Sequence, residues 1–344
     1  MKLGVIGLPS SGKKTIMEAL THHTEAMSHK GTDQLHTIRV PDQRVDVLSD
    51  MYQPRKTIFA QVEYFLPGRA GASNESGKTQ HPLTSVRDCD ALIHVVRNFS
   101  GYGFEDPTPE NDWRTLDQEL ILADLIVVEK RLERIEQEKK RNRKTDPQEL
   151  KLLEECHLHL ENETPLRQYP ELAAAPSLRG FALLSAKPML ILFNNGDEDD
   201  SVPSIQTLAD DENHMAVKGK LEQELAQMSD EEASEFMHEF NISESVTDRV
   251  IKKSYDLLGL ISFFTVGEDE VRAWTIRIGT PAVDAAGVIH TDIQRGFIRA
   301  EVVAYTHLID AGSYVEARKQ GVVRLEGKTY PVKDGDIINF RFNV

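Results

Sequence analysis

The chain has 344 residues, 40% of them apolar and 28% charged, which is ordinary for a soluble globular protein long enough for two or three domains. Its net charge of −16 opposes indiscriminate adhesion to nucleic acid or anionic membrane, so any polyanion contact has to be a local basic patch. Cys89 and Cys156 lack disulfide-framework or metal-ligand spacing, no apolar run approaches the roughly 20 residues of a membrane span, and LGVIGL at the N-terminus is too short for a signal-peptide core. A cytoplasmic protein without membrane contact is expected.

Lys2 to Ile6 reads as a buried strand and leads into Gly7 to Thr15, GLPSSGKKT. This is close to G-x-x-x-x-G-K-[S/T], in which glycines let the backbone curl its N–H groups toward phosphate, lysine meets the β/γ-phosphates and a hydroxyl holds Mg²⁺. Gly7, Gly12 and Lys13 stand at the required spacing, Ser10 and Ser11 lie within the curl, and Lys13 to Leu20 can start the helix that faces the anion. Lys14 occupies the hydroxyl position, and Thr15 comes one residue late. The candidate nucleotide-binding residues are therefore Gly7, Ser10, Ser11, Gly12, Lys13, Lys14 and Thr15, with no metal ligand assigned. The competing reading is a glycine-containing β–α turn that binds nothing.

Ser28 to Gln34 is polar and reads as loop, and Val40 to Leu48 starts a second helix. Gln61 to Phe65, Ala91 to Val96 and Met189 to Phe193 read as strands. Strands alternating with helices after a phosphate loop give a doubly wound α/β domain that binds ligands beyond the carboxyl ends of its strands. Asn194 to Asp197 (NNGD) lies at such an end. Between the last two strands, Ile121, Leu125, Val128, Leu132 and Ile135 form the seam of a coiled-coil-like helix. Asp146, Pro147 and Glu149 start a return helix carrying Leu150, Leu153, His157 and Leu160 on its seam, with His157 read as a packed side chain. The tip of this antiparallel hairpin carries Lys139, Lys140, Arg141, Arg143 and Lys144, an RNA-contact candidate whose alternative is simple solvation of a helix end. From Val271 the apolar period becomes two, through Arg299 to Tyr305, Arg324 to Val332 and Ile337 to Val344, with a helix near Ala282 and a turn at Asp334-Gly335. A small sheet of about four strands on one helix, an α+β module, is expected there.

Gly259 to Val302 (GLISFFTVGEDEVRAWTIRIGTPAVDAAGVIHTDIQRGFIRAEV) and Arg324 to Val344 (RLEGKTYPVKDGDIINFRFNV) closely resemble the YchF/Obg-like ATPase family. Leu120 to Glu136 (LILADLIVVEKRLERIE) resembles the first helix of that family's inserted helical domain, and the likeness covers nearly the whole chain. The resemblance implies a P-loop G domain over residues 1–112 and 181–258, an inserted helical hairpin over 113–180, and a C-terminal β-grasp module of the TGS type over 259–344. It also implies a cytosolic, ribosome-associated protein that depends on ATP or GTP, the better-known members favouring ATP.

Departures from the family pattern concentrate in the catalytic motifs. The family's loop reads G-L-P-N-V-G-K-S-T, so Lys14 stands at its serine; its D-x-x-G falls near Tyr64, Phe65, Leu66 and Gly68, ahead of Gly71-Ala72-Ser73, with no aspartate. Its first-switch threonine falls near Lys30, with Thr32 the nearby substitute, and its loop histidine should follow Arg97-Asn98-Phe99, where SGYGFEDPTPEND contains none. Asn194 and Asp197 keep N-x-x-[D/E] spacing across Asn195, which leaves the base open, and NNGDEDD can equally form a strand-end turn. Phosphoryl transfer in P-loop proteins rests on positioning and on Mg²⁺ held by the loop hydroxyl and a carboxylate, so metal anchoring and turnover are both expected to suffer. No catalytic residue is assigned. Three functions compete: an ATP- or GTP-binding ribosome-associated regulator with weak or lost hydrolysis, an active ATPase/GTPase re-routed through Arg69 or Thr15, and a scaffold acting through the helical tip and C-terminal module. For the C-terminal module, His290, Asp292 and Arg295 are the expected contact residues, with turn and capping roles as the alternative.

Overall fold

The computed structural model describes residues 1–21, 32–68, 82–101, 103, 105–205, 208, 213–239 and 245–343. In chain order the strands are β1 (Lys2–Ile6), β2 (Gln34–Arg39), β3 (Lys56–Ile58), β4 (Gln61–Leu66), β5 (Ala91–Asn98), β6 (Met189–Asn195), β7 (Asn213–Val217), β8 (Leu260–Val266), β9 (Glu270–Arg277), β10 (Phe297–Ala304), β11 (Arg324–Glu326) and β12 (Asp336–Phe342). They form two sheets, ordered β2-β4-β1-β5-β6-β7 and β11-β10-β12-β8-β9-β3. Residues 1–36 and 63–249 make one compact unit, and 37–62 with 250–344 make a second.

In the first sheet β1 pairs in parallel with β4 and β5, and β5, β6 and β7 continue in parallel. Almost every residue of β1, β5 and β6 is buried, as strands covered by helices on both faces must be, and the doubly wound α/β class holds. The register sets Ile6 beside His94 and Arg97 beside Asn194, so the carboxyl ends of β1, β5 and β6 share one edge. One face packs Leu92, Val96, Ile191 and Phe193 against Trp113, Leu116 and Leu120 of the helix Pro109–Lys140.

That helix has 32 residues, about 48 Å at 1.5 Å per residue, and runs unbroken from the sheet into the hairpin. Its expected seam is real: Ile121, Val128 and Ile135 are buried against Leu153, Cys156 and Leu160 of the return helix Pro147–Glu161. Asp146 caps that helix, its side chain accepting the Gln148 N–H at 2.9 Å. His157 is not the seam residue. Steps of three and four from Leu153 reach Cys156 and then Leu160, which leaves His157 half-buried between the carboxylates of Glu129 (3.8 Å) and Glu161 (3.3 Å). The hairpin root is bolted by the fully buried Asp124, which accepts from Leu184 N, Ser185 N, Ser185 Oγ and Arg87 Nη1.

The second unit is larger than the module read from the sequence. Phe263, Ile276, Ala300, Ile338 and Phe340 pack on Ala282, Ala285 and Ala286 of the helix Ala282–Ile289. On the opposite face Phe264, Val271, Ala273, Val303 and Ile337 are buried as well. Their cover includes the helix Gln43–Tyr52, whose Val45 and Leu48 have no exposed surface, together with Tyr305–Ala311 and Tyr314–Lys319. β3 adds a sixth strand in parallel with β9, pairing Lys56, Thr57 and Ile58 with Glu270, Val271 and Arg272. The family resemblance put residues 37–62 with the nucleotide domain, as part of 1–112. In the structure they cluster with the second unit, Lys56–Ile58 as a strand of its sheet, although 37–39 end β2 and 61–62 begin β4 of the first sheet. The second helix starts at Gln43 behind the N-cap Asp42, later than the Val40 expected, and the expected loop Ser28 to Gln34 falls partly outside the described residues, with Gln34 already in β2. The Arg324 to Val332 run is strand only through Glu326, and Val344 is outside the described residues.

Glu301 on β10 lies at 3% exposure among Arg318, Arg341, Asn339 and Tyr314, all of which direct donors at its carboxylate. Burial pushes its carboxyl up, but hydrogen bonds from Arg341 and Arg318 and their charges outweigh this and hold it below the ordinary value. Such a contribution is present above the unfolded-state pKa and lost as pH falls through the lower native value. Glu301→Gln should therefore destabilise the second unit by about 2 kcal/mol at pH 7, with the gap to wild type narrowing below about pH 4. Urea unfolding across that range checks both the size and the sign.

His94 is 1% exposed on central β5, and neither ring nitrogen has a hydrogen-bond partner among the described residues. Burial lowers its pKa to about 3, assisted by the charges of Arg167 and Lys13. The unfolded chain takes up this proton near pH 6.5 and the native one does not, so stability falls with acidity by up to about 1.4 kcal/mol per pH unit. His94→Leu should flatten the acid-side slope between about pH 6 and 4.5, and an unchanged slope in thermal or urea denaturation would contradict the assignment.

Candidate functional site

The nine residues after β1 form a tight curl at the edge where the first sheet's strands end. Gly7 (φ 154°) and Gly12 (φ 90°) take backbone conformations that side chains rarely adopt. Both are also sterically required: a Cβ on Gly7 would overlap the Val95 carbonyl, and one on Gly12 would overlap Asn194 Nδ2. Ser10 is itself left-handed, with φ 62°, and Ser11 is buried, its N–H reaching the Leu8 carbonyl at 3.3 Å. The helix Lys13–Thr21 then begins, Ile16 N–H bonding the Gly12 carbonyl at 2.9 Å.

Lys13 folds over the loop and donates to the carbonyls of Gly7 (2.7 Å) and Leu8 (2.6 Å). Burial lowers its ammonium pKa to about 8. Here a desolvated cation is held by neutral dipoles only, and an anion at the loop would offer it stronger acceptors. Lys14 is exposed on the first turn and pairs with Glu18 at 3.3 Å; Glu18 is held in turn by Gln223 from the helix Gly219–Leu225. Thr15 is half-buried beside it.

Asn194 closes the loop from the side. Its Nδ2 donates to the Ser11 carbonyl at 3.1 Å, and its Oδ1 accepts the Gly219 N–H at 3.0 Å. At 4% exposure it is more than a strand-end turn residue, because both ends of its amide are used to hold two loops. Asp197 is exposed in the turn that follows β6. Asn195 shapes that turn by donating to the Asp199 (3.0 Å) and Ser201 (2.7 Å) carbonyls, and Asn98 donates to its oxygen at 2.9 Å. The structure thus joins Gly7, Ser11, Gly12, Lys13 and Asn194 directly and leaves Lys14 with Glu18.

Among the described residues, those at the expected magnesium positions carry no oxygen donor set for the ion. The ammonium of Lys14 offers no lone pair where a hydroxyl would stand, Tyr64, Phe65 and Leu66 supply buried apolar surface where a carboxylate would be needed, and no group of three His, Cys, Asp or Glu suited to a metal occurs among the described residues. Lys30, Arg69 and Gly71-Ala72-Ser73, which the sequence reading considered, lie outside the described residues, as do Tyr102 and Phe104 of the β5 loop. The sequence reading passed over Asp33, whose carboxylate accepts the Gly68 N–H at 2.8 Å; adjacency to Thr32 was its only signal. It also passed over Arg97, which donates to the Glu105 (2.8 Å) and Asp106 (3.3 Å) carbonyls and shapes the loop after β5.

In the second unit His290 Nδ1 accepts the Asp292 N–H at 3.2 Å as the cap of the helix Thr291–Arg295. Capping accounts for His290; the Asp292 carboxylate lies 3.4 Å from His290 Nδ1 and 3.9 Å from Arg295, which is 81% exposed.

Residues 260–343 match the family model YchF-GTPase_C, described as a protein of unknown function, DUF933. The chain is 38% identical over 361 residues to the ribosome-binding ATPase YchF of Bacillus subtilis (strain 168), covering 99% of each chain. It is 36% identical to the protein of the same name from Escherichia coli O157:H7, covering 100% of this chain and 99% of that one. Among solved structures, the YchF GTPase of Schizosaccharomyces pombe superposes with a TM-score of 0.83 at 29% identity, over 99% of this chain and 97% of that one. With relatives this similar along the whole chain, and the glycine loop, long helical hairpin and C-terminal sheet in their places, the chain belongs to the YchF family.

Proposed function

We propose that this chain is a purine-nucleotide-binding, ribosome-associated cytoplasmic protein whose nucleotide site has lost its metal anchoring, so that hydrolysis is slow or absent. The observation that carries this reading is the loop itself. Gly7 and Gly12 keep a cradle that a Cβ would fill, and Lys13 lies over it as a desolvated cation, while the position of the metal hydroxyl is Lys14. ATP or GTP is the ligand class, and the relatives named as ribosome-binding ATPases supply the partner. Without a loop hydroxyl and a carboxylate to fix Mg²⁺, the transition state loses several kcal/mol of electrostatic stabilisation, each ~1.4 kcal/mol being tenfold in rate. The domain division proposed is a G domain over 1–36, 63–112 and 181–258, a helical insert over 113–180 and a TGS-like module over 259–344 that residues 37–62 complete.

The ribosome contact is assigned to the hairpin tip. Lys139, Lys140, Arg141, Arg143 and Lys144 are all exposed, and among the described residues only Lys140 meets a carboxylate, Glu136 at 3.7 Å. Further down the hairpin Arg131 is fully engaged with Glu149, at 2.8 Å through both Nε and Nη2. Five cations that share one counter-charge among the described residues, on a strongly acidic protein, suit a phosphate backbone better than solvation alone. In the second unit Arg295 is the side chain we assign to a partner.

Calorimetric titration with ATP and GTP, with Mg²⁺ and with chelator, tests the site. Binding should be weak and nearly independent of the metal, and Lys14→Ser should restore metal dependence; wild-type affinity that rises strongly with Mg²⁺ would sink the reading. For the tip, changing Lys139, Arg141, Arg143 and Lys144 together to Gln should reduce co-sedimentation with ribosomes and lower the salt slope by roughly 0.7–0.9 for each phosphate that is no longer neutralised. Recovery equal to wild type at every salt concentration would place the interaction elsewhere.

A further inference from the structure

Glu301 marks the point where one face of the second sheet loses its cover. Val303 and Ile337, which share that face, are buried, and the helix Tyr314–Lys319 still reaches Glu301 through Tyr314 and Arg318. Farther along the same strands, Arg299 on β10 and Asn339 and Arg341 on β12 are exposed. The register sets Glu301 beside Asn339 and Leu325, and Arg299 beside Arg341; residues directly opposite share a face.

This uncovered end is a place of crowded cations. Nη2 of Arg318 and Nη2 of Arg341 both donate to Oε1 of Glu301, so two guanidinium groups converge on one buried oxygen while staying 57% and 50% exposed themselves. Oε2 accepts from Tyr314 Oη and Asn339 Nδ2, each at 3.3 Å, which saturates the carboxylate. Arg299 has no hydrogen bond or carboxylate partner among the described residues. The neighbouring acids are used elsewhere, Glu316 by Lys319 at 2.7 Å and Glu326 by Arg324 at 3.3 Å. Three guanidinium groups thus share one carboxylate. Like charges directly opposite on two strands are destabilising, and a local conflict of this kind in an otherwise consistent sheet marks a functional position.

We infer that the uncovered end of this sheet binds an acidic peptide segment, whose carboxylates take the free edges of Arg299, Arg318 and Arg341. The inference is independent of the nucleotide reading. Glu301 holds two of the forks in place, so little side-chain freedom is lost when a carboxylate meets their remaining N–H groups in pairs. Leu325 and Ile298, 52% and 56% exposed, add aliphatic surface for a peptide. A nucleic acid strand fits the surface less well, because its bases need aromatic platforms. Tyr314 is half-buried with its hydroxyl on Glu301, and Phe342 follows Arg341 and so alternates to the opposite face.

The test is fluorescence anisotropy on the full chain at about 50 mM salt, where exposed charges are weakly screened. The probes are a labelled ten-residue peptide of alternating Glu and Ala, its Gln counterpart, and a labelled oligouridylate of the same net charge. The Glu peptide should bind at least about 10-fold more tightly than either of the others. Arg299→Gln should weaken it about 5-fold, and Arg299→Glu, which sets opposite charges across the two strands, should abolish binding while leaving the thermal unfolding midpoint equal to or above that of wild type. The hairpin-tip variant with Lys139, Arg141, Arg143 and Lys144 changed to Gln should bind the Glu peptide as wild type does. Several results overturn the inference: equal binding of the Glu and Gln peptides, loss of binding in the tip variant alone, or Arg299→Glu that binds as wild type does. A lower unfolding midpoint in Arg299→Glu also overturns it, by making Arg299 a structural residue. Oligouridylate that binds more tightly than the Glu peptide and is released by Arg299→Glu assigns the surface to nucleic acid instead.

Discussion

One buried amide holds the candidate nucleotide loop together. Asn194 spends its donor on the Ser11 carbonyl and its acceptor on the Gly219 N–H, and it can do so only because neither Gly12 nor Gly219 carries a Cβ that would collide with it. The parallel register that sets Asn194 beside Arg97 delivers this side chain to the sheet edge where β1 runs out into the loop. Removing one partner of such a buried pair leaves the other desolvated and unsatisfied, at a cost of about 1–3 kcal/mol. The curl of the glycine loop is thus imposed from β6 as well as by its own glycines.

Charge is distributed to match. A chain of net charge −16 keeps a buried lysine at its loop, drawn down to about 8 because burial disfavours the ammonium and only carbonyl dipoles compensate. An arriving phosphate would replace weak acceptors by strong ones without first having to order the side chain, which is the electrostatic advantage of a preorganised site. Lys14, paired with Glu18, brings a second cation to the same helix start but none of the geometry that a metal would bring. The basic tip stands at the far end of a single helix rooted at Asp124, so both positive regions belong to the first compact unit.

Much of this was legible in the sequence because it rests on local patterns. The glycine spacing marked the loop, the three- and four-step apolar seam marked the hairpin, and Asp146-Pro147 marked the start of its return helix. What escaped were features that depend on distant partners. The heptad count slipped at His157 because Cys156 is an equally acceptable seam residue. Residues 37–62 read as part of the first domain because the resemblance assigned 1–112 to it as one block, and a three-residue strand has too little periodicity to show that β3 would pair with β9. Asn194 could be proposed from its spacing but not distinguished from a turn residue, since its role depends on Ser11 and Gly219, which only the fold brings together.

The central claim is that Lys13 is the phosphate-binding cation and works without a metal. Calorimetric titration of nucleotide at pH 8, with chelator present and in two buffers of different ionisation enthalpy, tests it most directly. A lysine with a pKa near 8 that gains a phosphate partner has its pKa raised, so binding should draw about half a proton from the buffer. Heats identical in the two buffers, or binding that emerges only when Mg²⁺ is added, would contradict the account.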